Sequence, residues 1–195
     1  MGVRDWIEEY YPEYYGWFEY PSDATVAFCG TREEWGILGN FGRTPLVVDG
    51  VEFNCAEALF QVMKFTDPAA RRDIRSRAGQ RIKMQAKHWT KEVGVRPGWG
   101  RMVVDVLKFC LMTKYAQCAE FRDELSRTGD RFIVELQANT KRPADTYSAK
   151  LSADGQTWSG SNLMGRLLME LRDKGRLEYT LPEDVMHFPD LQKKA

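Results

Sequence analysis

The chain has 195 residues, 28 Lys and Arg against 28 Asp and Glu, and 43% apolar residues. Length and apolar content predict one packed domain with a substantial core. Zero net charge argues against extensive duplex binding, and no run approaches the roughly 18 uninterrupted apolar residues of a membrane span.

Residues 1–24 are acidic and aromatic, punctuated by Pro12 and Pro21. They are unlike a signal peptide and predict an extension packed on a domain of residues 25–175, with 176–195 as a C-terminal tail. A strand is expected at 25–29. Leu46–Val48 and Val51–Phe53, joined by Asp49-Gly50, predict a hairpin. Asn54 then stands at a cap position before a helix over 55–65. That helix is apolar almost all the way round, except for a seam of Glu57, Gln61 and Lys64 within about 60° of one another. A helix apolar on nearly all sides is buried, and burying a carboxylate and an ammonium is costly unless they are paired or employed. Two readings follow: a structural Glu–Lys seam bridged by Gln, or the floor of a cleft.

Residues 71–91 carry eight Lys and Arg, Lys83 among them, against Asp73 alone. They read as a solvated helical face or as a phosphate-attracting field. After a turn at 93–98, a helix over 99–117 places Val103, Leu107 and Cys110 in line with Lys114, which either snorkels or points into a pocket. A helix at 120–127 stops at Thr128-Gly129, and 132–136 predicts a strand. The polar, turn-rich stretch 137–160 reads as a functional loop. Asn162 caps a last helix with a stripe of Met164, Leu167, Leu168 and Leu171, closed by Gly175. The pattern predicts an α+β fold, a single helix-dominated domain with a small antiparallel sheet from 25–29, 46–53 and 132–136.

Four cysteines without CxxC spacing read as reduced thiols of a cytoplasmic protein. With His88 and His187 the only histidines, no metal site is expected. GxGxxG, GxxxxGK[ST], HExxH and GxSxG are all missing, so candidate acids and bases reduce to carboxylates and lysines. Glu57 is the best placed. Asp145 is a turn residue or a second acid across the substrate. Trp99, after Arg96-Pro-Gly, is a staple on the core or a stacking platform with Arg96 near phosphate. Gly160-Ser161-Asn162 is a cap or an anion site.

Taken in order, a set of residues resembles the NADAR (YbiA-like) family over about 25–174. They are Phe28, Trp35-Gly36, Gly39-Asn40-Phe41, Val48-Asp49-Gly50, Ala56-Glu57, Phe60-Gln61 and Lys64-Phe65, then Arg96, Trp99, Lys114-Tyr115, Gln117 and Thr128-Gly129. Asp145, Gly160, Asn162, Gly165 and the run from Leu168 to Arg172 complete the match. The resemblance implies an N-glycosidase that hydrolyses a ribose C1–N bond without a cofactor. The implied substrates are ADP-ribosylated guanine, free or at nucleic-acid ends, or phosphoribosylated intermediates of riboflavin synthesis. It implies Glu57, Lys64, Trp99 and Asp145 as catalytic; the candidate substrate-binding residues are Asn40, Phe41 and Gln61, with Arg96, Gly160 and Asn162 for phosphate and Lys114 as a further polar wall. Two departures stand out: Ala58 where many members have His, and Ser148-Ala149 where many have Trp-Gly. Rival readings are a module that binds ADP-ribose without cleaving it, and a partner-binding protein using the aromatic residues between Tyr10 and Phe18.

Overall fold

The computed structural model describes residues 2–139 and 141–192. Met1 of the expected extension, Thr140 of the expected loop and 193–195 of the expected tail lie outside the described residues. In chain order the elements are α1 (Val3–Tyr10), β1 (Phe18–Pro21), β2 (Thr25–Phe28), β3 (Leu46–Val48), β4 (Val51–Phe53), α2 (Ala56–Met63), α3 (Pro68–Arg75) and α4 (Gln80–Glu92). They continue with α5 (Val103–Gln117), α6 (Ala119–Arg127), β5 (Phe132–Glu135), β6 (Lys150–Leu151), β7 (Thr157–Gly160) and α7 (Leu163–Lys174). The class is α+β and helix-dominated, as predicted. No described helix is long and apolar enough to cross a membrane. The chain divides into two compact units, each made of two stretches: up to Gly39 with Ala119–Leu177, and Asn40–Cys118 with the segment from Glu178.

In the first unit, β2 pairs with β5 in parallel, Thr25 opposite Phe132 through Phe28 opposite Glu135. The predicted stripe of α7 is buried over this pair. The helix lies so close that a Cβ at Gly165 would stand 2.0 Å from the Ile133 carbonyl oxygen, which requires glycine there. A second sheet runs β1-β7-β6, antiparallel throughout, around Tyr20, Val134, Ala149 and Trp158. Residues 18–21 are therefore a strand of this unit, and 137–160 contains two strands where a loop is expected.

The single antiparallel sheet expected from 25–29, 46–53 and 132–136 is thus corrected. Segments 25–28 and 132–135 pair in parallel, which about a hundred intervening residues permit because a parallel pair needs a crossover connection. Segment 46–53 forms its own sheet in the second unit.

The second unit opens on the hairpin β3–β4, with Leu46 opposite Phe53. Asp49 (φ 52°) and Gly50 (φ 71°) are consecutive left-handed residues, the requirement of a two-residue turn that matches strand twist. Every residue of α2 is buried. Its N-cap is Cys55 rather than Asn54. The Glu57 N–H instead donates to the Asn40 carbonyl at 2.9 Å, and the Asn54 amide donates to the Arg77 carbonyl at 3.1 Å. The helix expected from 99 begins at Val103, behind a 3-10 turn at Trp99–Arg101 that follows left-handed Gly98. The C-terminal segment is part of this unit: Val185 and Phe188 are fully buried. Phe188 packs edge-on to Phe53 at 5.1 Å, and its N–H donates to Asp49 Oδ2 at 2.6 Å.

Candidate active site

Complete burial of α2 places Glu57 at 4% exposure. Gln61, one turn on, donates Nε2 to Glu57 Oε1 at 2.9 Å. Lys83 of α4 brings Nζ to 4.0 Å from the same oxygen and lies over the Phe41 ring at 4.9 Å. No described residue hydrogen-bonds the second carboxylate oxygen. Among the described residues, Gln61 Oε1, on the amide that holds Glu57, and Asn40 Oδ1, whose backbone carbonyl accepts from Glu57 N–H, are buried without a hydrogen-bond partner. Leaving a buried acceptor unmade costs about 1–3 kcal/mol, so each of these can accept a hydrogen bond from water or from a ligand. Four residues expected at the site, Asn40, Phe41, Glu57 and Gln61, are therefore brought together. Lys83 is the member that residue-by-residue reading passed over; its only signal was the basic run in which it sits.

Lys64 ends α2 as its C-cap. It is half-buried, and its ammonium lies 5.7 Å from the Phe65 ring centroid. Burial pushes its pKa down, and the Glu57 charge opposes that. Among the described residues Lys64 has no ion pair. The structural seam of Glu57 and Lys64 bridged by Gln61 is thus not formed, because Gln61 serves Glu57 alone. A separation of seven residues is about 10.5 Å along a helix, too far for one amide to span.

Three expected site residues are turned to the fold. Trp99 is 3% exposed and meets Phe60 edge-on at 5.5 Å, which is the staple of the two alternatives. Arg96, the phosphate candidate, is 5% exposed; its Nε donates to the Met63 carbonyl at 2.9 Å and its Nη1 meets Asp184 Oδ2 at 2.8 Å. Lys114, expected as a polar wall, is completely buried. Burial pushes its pKa down to about 7, against the opposing influence of Cys118 and Cys55.

Asp145, Gly160 and Asn162 belong to the first unit. Asp145 is exposed, and its Oδ1 accepts from Tyr147 N at 3.0 Å and Ser148 Oγ at 2.7 Å. That is a side-chain-closed turn. Ser148, a departure from the family pattern, is half of it. A Cβ at Gly160 would stand 2.4 Å from the Ser148 carbonyl oxygen, so its glycine serves packing. Asn162 is at the N-cap of α7 with φ 47°, but its side chain is bonded to β5 at Ile133 and Glu135. The expected anion site is corrected too: the N–H groups of Asn162, Leu163 and Met164 donate to the carbonyls of Ser148, Thr146 and Tyr147.

The candidate site is a buried carboxylate near the start of α2, oriented by Gln61, and comparison places the chain in a family. The NADAR domain matches residues 27–176, and the chain belongs to the NADAR family. It is 30% identical over 156 residues to proteins named N-glycosidase YbiA from Escherichia coli (strain K12) and Shigella flexneri, covering 80% of this chain and 91% of theirs. It is 27% identical over 172 residues to the riboflavin biosynthesis protein VVA0006 of Vibrio vulnificus, covering 86% of this chain and 42% of that one. The NMR structure of the E. coli protein YbiA matches with a TM-score of 0.58 at 30% identity, over 78% of this chain and 84% of that one.

Proposed function

We propose that this chain is an N-glycosidase that hydrolyses a ribose C1–N bond, releasing ADP-ribose from ADP-ribosylated guanine carried by a nucleoside or a nucleic-acid end. The observation that carries the reading is Glu57, a buried carboxylate with one oxygen held by Gln61 and the other without a hydrogen-bond partner among the described residues. Breaking an N-ribosyl bond builds positive charge on C1 and the ring oxygen. A carboxylate beside C1 stabilises that charge or deprotonates the attacking water. Gln61 orients Glu57, while the open acceptors of Gln61 and Asn40 receive ribose hydroxyls. Lys64 holds a hydroxyl or phosphate, or attacks the opened sugar aldehyde as a neutral amine, a role its lowered pKa favours. Lys83 and Phe41 take the charged and flat parts of a nucleotide, and Trp99 backs Phe60. The chemistry needs no cofactor, and four free cysteines suit the cytoplasm.

A second reading, hydrolysis of phosphoribosylated riboflavin intermediates, is favoured by the similarity to the Vibrio protein. A non-catalytic reader of ADP-ribose gains nothing from a buried carboxylate facing an anionic ligand. The test is incubation of wild type and Glu57→Gln with ADP-ribosylated guanosine, following ADP-ribose by chromatography. Glu57→Gln is expected to keep the fold and ADP-ribose binding while losing turnover roughly a thousandfold. Wild-type turnover in the variant would remove the carboxylate mechanism. Binding without release by either protein would favour the reader, and neither binding nor release would favour the phosphoribosyl substrates.

A further inference from the structure

The segment after α7 crosses the second unit as a strap over 178–192, beyond the residues that define the family. Its apolar side chains anchor it, with Val185 and Phe188 fully buried and Leu191 at 7% exposure. Two of its carboxylates meet buried arginines, Asp190 with Arg71 and Asp184 with Arg96, each at 2.8 Å. The second pair leads into the candidate site. Arg96 donates Nε to the Met63 carbonyl at 2.9 Å and its backbone N–H to the Lys64 carbonyl at 2.9 Å. A helix leaves its last carbonyls without partners, and here Arg96 takes those of Met63 and Lys64 at the end of the helix that also carries Glu57.

We propose that Asp184 and Arg96 are positioning residues for the active site: Asp184 fixes the guanidinium, Arg96 fixes the end of α2, and Lys64 is thereby held in register with Glu57. The inference rests on reading Glu57 and Lys64 as substrate-facing. Asp184 is 73% exposed at its side chain while that of Arg96 is 4% exposed, so solvent screens the carboxylate while the buried guanidinium depends on it for a counter-charge. The pair also sets direction. A small 3-10 turn at Glu183–Val185, anchored by buried Val185, holds the carboxylate in place.

The test uses the full chain with Asp184→Ala and Asp184→Asn, the second of which keeps an acceptor oxygen for Arg96. With ADP-ribosylated guanosine, Asp184→Ala is expected to lose about tenfold in kcat with KM nearly constant, since small misplacements of catalytic groups act on turnover. The melting midpoint should fall in both variants, since each leaves buried Arg96 without its counter-charge, while Asp184→Asn, which keeps an acceptor oxygen, should recover most of kcat. In the free protein, amide hydrogen exchange over 60–66 should quicken in Asp184→Ala and return to the wild-type rate in Asp184→Asn. Unchanged kcat in Asp184→Ala, or a loss not recovered by Asn, overturns the proposal. If wild type fails to act on this substrate, the ADP-ribosyl-guanine reading falls by the Glu57 assay, and exchange still decides: wild-type exchange over 60–66 in Asp184→Ala overturns the strap's role.

Discussion

In the first unit, Asn162 is completely buried and both ends of its amide are engaged, Nδ2 donating to the Ile133 carbonyl at 2.9 Å and Oδ1 accepting from Glu135 N at 3.2 Å. In the second, Gln61 is nearly as buried, yet only Nε2 is used, on Glu57, and Oε1 has no hydrogen-bond partner among the described residues. The two side chains carry the same functional group. A saturated amide is architecture, because every bond it can make is made within the chain. An unsaturated one beside a carboxylate holds back bonding capacity that a ligand can claim. Burial alone does not separate the two cases; the completeness of the hydrogen bonding does.

Exchanging each amide for an apolar side chain gives the widest separation. Asn162→Leu strands the Ile133 carbonyl and the Glu135 N–H and puts a branched residue at φ 47°, so it is expected to lower stability by about 2–4 kcal/mol. Gln61→Leu removes an acceptor without a partner among the described residues together with the Nε2 donor to buried Glu57; it is expected to lower stability by less than Asn162→Leu, about 1–2 kcal/mol, while reducing turnover by more than tenfold. Urea unfolding and initial rates on the same preparations check both. Equal destabilisation, with turnover intact in Gln61→Leu, would erase the distinction.

Lys114 extends the comparison from amides to a charge. Its folded pKa of about 7 lies below the ordinary 10.5, so between those values the unfolded chain binds more protons than the folded one. Stability therefore rises with pH across that window. The Cys55 and Cys110 thiols, pushed up by burial from 9.0, act in the opposite sense as unfolded thiols ionise near that value. The clean interval is thus about pH 7 to 8.5, where a gain of up to about 2 kcal/mol is expected. Lys114→Met should flatten this rise in urea midpoint. An equal rise in the variant would assign the effect to another group.

The same distinction explains what the sequence could and could not convey. The hairpin was legible to the residue because Asp49-Gly50 demands two left-handed positions, and α2 was legible because its composition admits only burial. Residue type does not reveal the partner, however. Arg96 and Lys114 looked like ligand groups, and their engagement depends on Asp184, distant in sequence, and on the interior around α5. The sheet β1-β7-β6 was hidden because its strands are short and half-polar. The parallel pairing of β2 with β5 joins segments too far apart for any local pattern to register.

Lys83 tests the smallest expected effect. It is 53% exposed at its side chain, so its attraction for a phosphate is screened and acts before chemistry rather than during it. Lys83→Ala is therefore expected to raise KM for ADP-ribosylated guanosine by roughly three- to tenfold at low salt, with kcat nearly unchanged, because rim charges govern encounter more than turnover. The difference should shrink as salt is raised. Loss of kcat at constant KM would instead place Lys83 with Gln61, as a group that orients the Glu57 carboxylate 4.0 Å away, and would move the boundary between binding and chemistry from α2 onto α4.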